Sequence, residues 1–286
     1  MNETSKHESA SIGTVSFKAD GFSLIELLVV IAILSIVMGS AVRYISIATK
    51  RSQIEQTKVD LSQEAREFVD EFERDIHQSG YPNCRMFSTG GGCTLTSDKI
   101  SAGLVSVATT GITFEGDIDG DGTVNSVSYR LVDSAGNYPP SGTCPCTIQR
   151  SQIGKVLGVA PLVQGPAQWS QELQNVVNSG APVGGAIYGG GLNIAGNTAW
   201  GATNTAYYAA VATFKDYPVF SAYDQNGLPV TLPVDISTPA GQTAVTSISS
   251  VRLTLNLIGN ATTGVDMQTN VRPVLTLVGS GRVNNN

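Results

Sequence analysis

From residue 22 to residue 42 the chain runs for 21 residues with one charge, Glu26. A helix rises about 1.5 Å per residue and a bilayer core is about 30 Å thick, so this run can cross one. A secretory signal peptide does not fit: its apolar region spans about 7–15 residues and precedes the cleavage site. Here the run is longer and its polar boundary comes first. The acid is the anomaly. A carboxylate near the centre of a span costs about 2.5–3.5 kcal/mol on insertion scales and calls for a partner. Glu26 is the fifth residue of the run, which begins directly after Gly21.

The stretch Gly21-Phe22-Ser23-Leu24-Ile25-Glu26-Leu27-Leu28-Val29 closely resembles the start of a type IV prepilin. The resemblance implies that residues 1–21 are a leader, removed by a membrane prepilin peptidase that cuts between Gly21 and Phe22. Phe22 then becomes an N-methylated first residue. Glu26 becomes the fifth residue of the mature chain, the position thought to meet the terminal amine of a neighbouring subunit. The physics agrees, because a positive amine would neutralise an acid held in hydrocarbon. The implied location is the inner membrane, single-pass with the head outside the cytoplasm, and then a pilus or pseudopilus. Positive charge points the other way. The leader carries Lys6 and Lys18, whereas Arg43, Lys50, Arg51 and Lys58 follow the span, which by itself favours the opposite orientation.

Composition narrows the rest. Charged residues are only 14% of the chain and the net charge is −6, so nothing supports nucleic-acid binding as a bulk property. Cys84, Cys93, Cys144 and Cys146 all lie beyond the span. An even count in an exported domain favours disulfides, with three connectivities open. No CxxC pair exists, and His77 is the only histidine outside the leader, which argues against zinc.

After the span the helix is expected to continue. Ile47, Ile54, Leu61 and Phe68 recur every seven residues, with Ala65, Phe72 and Ile76 on the same side, one apolar stripe on a charged helix. Glu64, Arg66, Glu67, Asp70, Glu71, Glu73, Arg74 and Asp75 read as its solvated face. Ser79-Gly80-Tyr81-Pro82 should end it. Arg74, Asp75, Gly80 and Tyr81 also resemble the helix end of PilW-like minor pilins.

Strands are expected at 104–108, 111–115 and 125–132, where Val127, Tyr129 and Leu131 alternate on one face. Between the last two lie Asp117, Asp119, Asp121, Gly122, Thr123 and Asn125, spaced like the start of an EF-hand calcium loop. Position 12 is Ser128 instead of an acid, and no helices flank the loop. The segment is either a calcium-binding hairpin turn or a plain Asp-Gly turn. Residues 133–203, rich in Gly, Asn and Thr, read as a loop-rich insertion, with a short helix at 170–177. Trp169, Trp200, Tyr188, Tyr207 and Tyr208 fall in or near it, and packing explains them better than ligand binding. Residues 218–227 lead into an Asn-Gly turn, as in PilW-like proteins. Residues 248–257 and 271–278 read as a closing antiparallel pair, and 279–286 as a polar tail.

The expected fold is α+β and type IV pilin-like: a long N-terminal helix over 22–79, transmembrane at 22–42, packed on an antiparallel β-sheet head over 80–286. The expected function is a structural minor pilin that assembles into, primes or caps a type IV pilus. Its partners are the prepilin peptidase, other pilin subunits and, before assembly, the inner membrane. A minor pseudopilin of a type II secretion system is the alternative, with a pilus-tip adhesin or a membrane-tethered enzyme behind it. The sequence holds no GxSxG, HExxH, GxxxxGK or CxxC, so no catalytic residue and no required cofactor are assigned; calcium is the one ion in question.

Overall fold

The computed structural model describes residues 21, 23–87, 94–140, 145–178, 217–259 and 274–283. The chain divides into two units, Met1–Thr49 and Lys50–Asn286. Helix α1, Leu24–Gln78, runs through both. It begins where the Glu26 and Leu27 amides donate to the Ser23 carbonyl. It contains no proline, and it stops where Gly80 takes φ +82°, the left-handed conformation that only glycine adopts without cost.

In the first unit the described residues of α1 are exposed up to Ser46. Leu24–Gln78 is long and apolar enough to cross a membrane by length and composition.

In the second unit α1 buries Ile54, Leu61, Ala65, Phe68, Val69, Phe72 and Ile76. Spacings of three and four residues put them on one face, which packs on a large antiparallel sheet. Its strands are β1 (Leu104–Ala108), β2 (Gly111–Gly116), β3 (Asn125–Val132), β4 (Cys146–Gly154), β5 (Ser170–Val176), β6 (Phe220–Asp224), β7 (Pro229–Val230), β8 (Val234–Asp235), β9 (Ile248–Ile258) and β10 (Val274–Arg282). The order is β7-β6-β9-β5-β4-β3-β2-β1-β8, with β10 also on β9. A short helix α2, Pro239–Ser247, is capped by Thr238 Oγ1 accepting from the Gly241 amide.

Period-two alternation decides which side chains meet α1. On β3, Val127, Tyr129 and Leu131 are buried. The Phe68 and Phe72 rings meet Tyr129 edge-on at 5.8 and 5.4 Å, and Phe72 also reaches Phe220 at 5.7 Å. Burying an aromatic or large aliphatic side chain contributes about 1.5–3 kcal/mol, so this stripe accounts for much of the attachment.

β9 organises the far half of the sheet. β6 pairs with its residues Ile248 to Leu253, and β10 pairs along Ser250 to Ile258. β5 bridges to it through Val176 and Leu257. Asn178 extends that junction: its side chain accepts from the Asn256 amide and donates to the Thr254 carbonyl, as a further strand residue would.

Three expectations are corrected. Residues 170–176 form a strand, not a helix, because β4 supplies a partner ladder and the sheet buries Leu173 and Val176. The region read as an insertion contributes two central strands, β4 and β5; its residues 141–144 and 179–203, including Tyr188 and Trp200, lie outside the described ones, as do Tyr207 and Tyr208. The tail read from residue 279 onward contributes Gly279 to Arg282 of β10. There Gly279 and Gly281 are buried against α1. A Cβ on Gly281 would fall on Ile76 Cγ2, and one on Gly279 would lie 2.5 Å from Val69 Cγ1.

Candidate functional site

The N-terminal junction places Gly21 in the open, while Phe22 lies outside the described residues. Glu26 is in the first turn of α1 and exposed. Ser23 and Glu26 have the spacing of a capping box, which the prepilin reading passed over. An acid in the first turn also complements the positive end of the helix dipole, worth about 0.3–1 kcal/mol. The hydrogen bonds at the helix start run from the Glu26 and Leu27 amides to the Ser23 carbonyl, and the Glu26 side chain is exposed.

The end of α1 carries a polar site that the sequence reading missed. Asp75, read as solvated, is fully buried. Its Oδ2 accepts from the Tyr129 hydroxyl at 2.7 Å and from Arg150 Nε and Nη2 at 2.9 and 2.7 Å. Arg150 also donates to Gln152 Oε1 and lies 3.4 Å from Glu71. Asp75 Oδ1 has no partner among the described residues. Burial first, then the Asp75 carboxylate, pushes the Tyr129 hydroxyl far above the ordinary phenol range. The signal was in the sequence: Asp75 follows Phe68 and Phe72 at seven and three residues, so it lies on the buried stripe.

Beside it the helix end is stitched to β2. The Gly80 amide donates to the Glu115 carbonyl at 2.9 Å and the Asp117 amide to the Tyr81 carbonyl at 2.8 Å. Glu115 and Lys155 form a fully buried ion pair at 2.5 Å. Lys155 Nζ also donates to the Ile100 carbonyl, and Glu115 Oε2 accepts from the Ala102 amide. Burial raises the Glu115 carboxyl, against the lowering effect of Lys155.

The turn between β2 and β3 holds Asp117, Asp119 and Asp121, with one carboxylate oxygen from each within 4.8 Å of the others. Asp117 accepts from the Gly120 and Gly122 amides at 2.9 and 3.1 Å. Asp121 Oδ1 takes the Thr123 amide and hydroxyl, which hold its carboxyl below the usual range. Asn125 Nδ2 approaches Asp119 Oδ1 at 3.4 Å. Ser128 faces Thr113, with the two hydroxyls 3.0 Å apart. The five predicted residues are thus gathered in one turn, and their carboxylates hold the loop's own amides. Of the cysteines, Cys93 and Cys144 lie outside the described residues, and neither Cys84 nor Cys146 is a free thiol.

Over residues 17–42 the chain is similar to the prokaryotic N-terminal methylation motif. This supports a type IV pilin-like protein. No curated protein and no solved structure matches the chain. The pilin-like motif implies processing by prepilin peptidase and assembly with other pilins or pseudopilins. The apolar helix that follows it is consistent with inner-membrane anchoring.

Proposed function

We propose that the chain is a minor pilin of the PilW-like group, a structural subunit that incorporates into a type IV pilus or primes or caps it. The observation that supports the pilin part of this reading is the Gly21-Phe22 junction followed by an exposed, membrane-length apolar helix with Glu26 in its first turn, and the PilW-like part rests on the resemblance at Arg74, Asp75, Gly80 and Tyr81. The helix serves twice. It holds the precursor in the inner membrane with the head outside, and after cleavage it moves into a filament core among other subunits' helices. Neutralisation by the amine of a neighbour then compensates the buried Glu26 charge.

Mass spectrometry of protein from sheared filaments tests the reading: a chain beginning at N-methylated Phe22 is expected. Glu26→Ala and Glu26→Gln should both be cleaved normally yet enter filaments poorly. Glutamine keeps the size and shape of the side chain and removes the charge, so full incorporation of Glu26→Gln would show that the charge is not needed for assembly. Finding the processed chain in secretion pseudopili and not in pili would move it to the type II secretion branch.

The Asp-rich turn is proposed as a weak calcium site formed by Asp117, Asp119, Asp121, the Thr123 carbonyl and Asn125. The close grouping of three carboxylates supports this. The lack of a bidentate acid at position 12 points to low affinity. Melting of the purified chain should rise by several degrees at millimolar calcium and not with magnesium; Asp119→Ala with Asp121→Ala should abolish the shift.

A further inference from the structure

The face of the sheet turned away from α1 carries an oriented guanidinium. Val127, Tyr129 and Leu131 of β3 are buried on the α1 side, so Ser128 and Arg130 point to the opposite side. Arg130 lies in register between Gly111 of β2 and Gln149 of β4. Its Nε donates to Gln149 Oε1 at 2.9 Å. Its guanidinium carbon is 3.8 Å from the centre of the Trp169 ring and 6.0 Å from that of Tyr138. Gly111 makes room for this cluster, since a Cβ there would fall on the Tyr138 hydroxyl.

One bond at the Nε edge and one aromatic ring against its face hold the guanidinium in place. The Nη edge is left as a fork. Among the described residues it makes no hydrogen bond and no ion pair, and neither Nη nitrogen is buried. Acids outnumber bases by 23 to 17 in this chain, yet none of the described ones pairs with this arginine. Burial lowers the Arg130 guanidinium, with Tyr138 acting the other way and no carboxylate contributing. One row further along the strands, the Thr113 and Ser128 hydroxyls lie 3.0 Å apart and are half-buried. That row is two residues away, or about 7 Å. The pair shares one donated proton, so one donor and several lone pairs stay available to a ligand.

We propose that this face binds an acidic saccharide. The carboxylate of a uronic-acid ring takes the Arg130 fork, the flat face of a sugar ring lies on Tyr138, and sugar hydroxyls reach Thr113 and Ser128. Trp169 and Gln149 are positioning residues that aim the fork. Each feature narrows the ligand. A planar fork with a single charge matches a carboxylate bidentately. Tyr138 is 46% exposed, and an apolar ring with polar groups around it suits a sugar, which has both kinds of surface. A short acidic peptide would satisfy the fork and leave the hydroxyl pair and the exposed ring unused. Binding is a property of the head and does not depend on the filament reading; only its setting outside the cytoplasm rests on that reading.

The test is saturation-transfer NMR on the full-length chain in detergent and calcium-free buffer, with trimers of galacturonic, mannuronic and guluronic acid as ligands. At least one trimer is expected to bind with a Kd below about 10 mM. Its methyl ester keeps the rings and loses the charges, and should bind at least about tenfold more weakly. Arg130→Lys keeps the charge and loses the fork, and should weaken binding by about tenfold with an unchanged melting temperature. The comparison of acid with ester needs no variant, so it decides the matter even where Arg130→Lys does not fold. Any one of four results would overturn the proposal: no trimer binds, the ester binds as tightly as the acid, folded Arg130→Lys binds like the original chain, or triglutamate binds as tightly as the sugar. The last would leave a general carboxylate fork. The N-terminal mass of the same sample reports separately on the pilin reading.

Discussion

At the scale of single residues, Asp75 shows how a buried charge fixes one helix on one sheet. Its carboxylate sits between a phenol on β3 and a guanidinium on β4. Removing one partner strands the others in a dry environment, and that is the costly event. Asp75→Ala is expected to destabilise the full-length chain in detergent by about 3 kcal/mol, at the low end for a broken buried pair because Arg150 partly reaches the surface. Tyr129→Phe, which leaves the Asp75–Arg150 pair in place, should cost about 1 kcal/mol. Urea unfolding followed by tryptophan fluorescence measures both; equal losses would contradict the arrangement. This site was half legible. The position of Asp75 on the apolar stripe could be read directly. Its partner Arg150 could not, because CTIQRSQIG carries mostly polar residues and their alternation has meaning only once the sheet is built.

At the scale of elements, local chemistry was readable wherever it was strong. Ser79-Gly80-Tyr81-Pro82 stops α1 as glycine and proline demand, and NSVSYRLV forms β3 over its whole expected length. β5 was misread because SQELQNV has helical propensity and only two buried side chains; pairing with β4 overrides propensity there. β10 was cut short because glycines look like a tail. Their real use is close approach to α1, and this gives a prediction. Gly281→Ala forces a methyl onto Ile76, which is fully buried and cannot move aside. A loss of about 2 kcal/mol is expected from such overpacking. Combining it with Ile76→Ala should cost at least about 1 kcal/mol less than the sum of the single changes. Additive losses in denaturation would show that the two do not meet.

At the scale of the whole molecule, the fold is a long N-terminal helix packed on a large antiparallel sheet, as its alternating and helical patterns led one to expect. The sheet's strand order was not legible, since it depends on contacts between distant segments. A global consequence concerns pH. Glu64, Glu71 and Glu115 all have carboxyls raised, chiefly by burial. A raised carboxyl binds its proton more tightly folded than unfolded, so stability falls as pH rises through the interval between the ordinary and the raised value. The melting temperature should therefore increase as pH falls from neutrality toward the ordinary carboxyl value of 4.5. The lowered carboxyls of Asp121 and Asp235 act in the opposite sense, but only below the ordinary value of 3.8. A flat or falling profile would contradict this. The glycine contacts of β10 have a mechanical meaning as well. Val69 and Ile76 project into notches left by Gly279 and Gly281, so α1 is keyed to the sheet as a tooth is to a rack. Tension applied along the helix must lift both teeth before the helix can slide, and the attachment resists axial pull by shape as well as by adhesion.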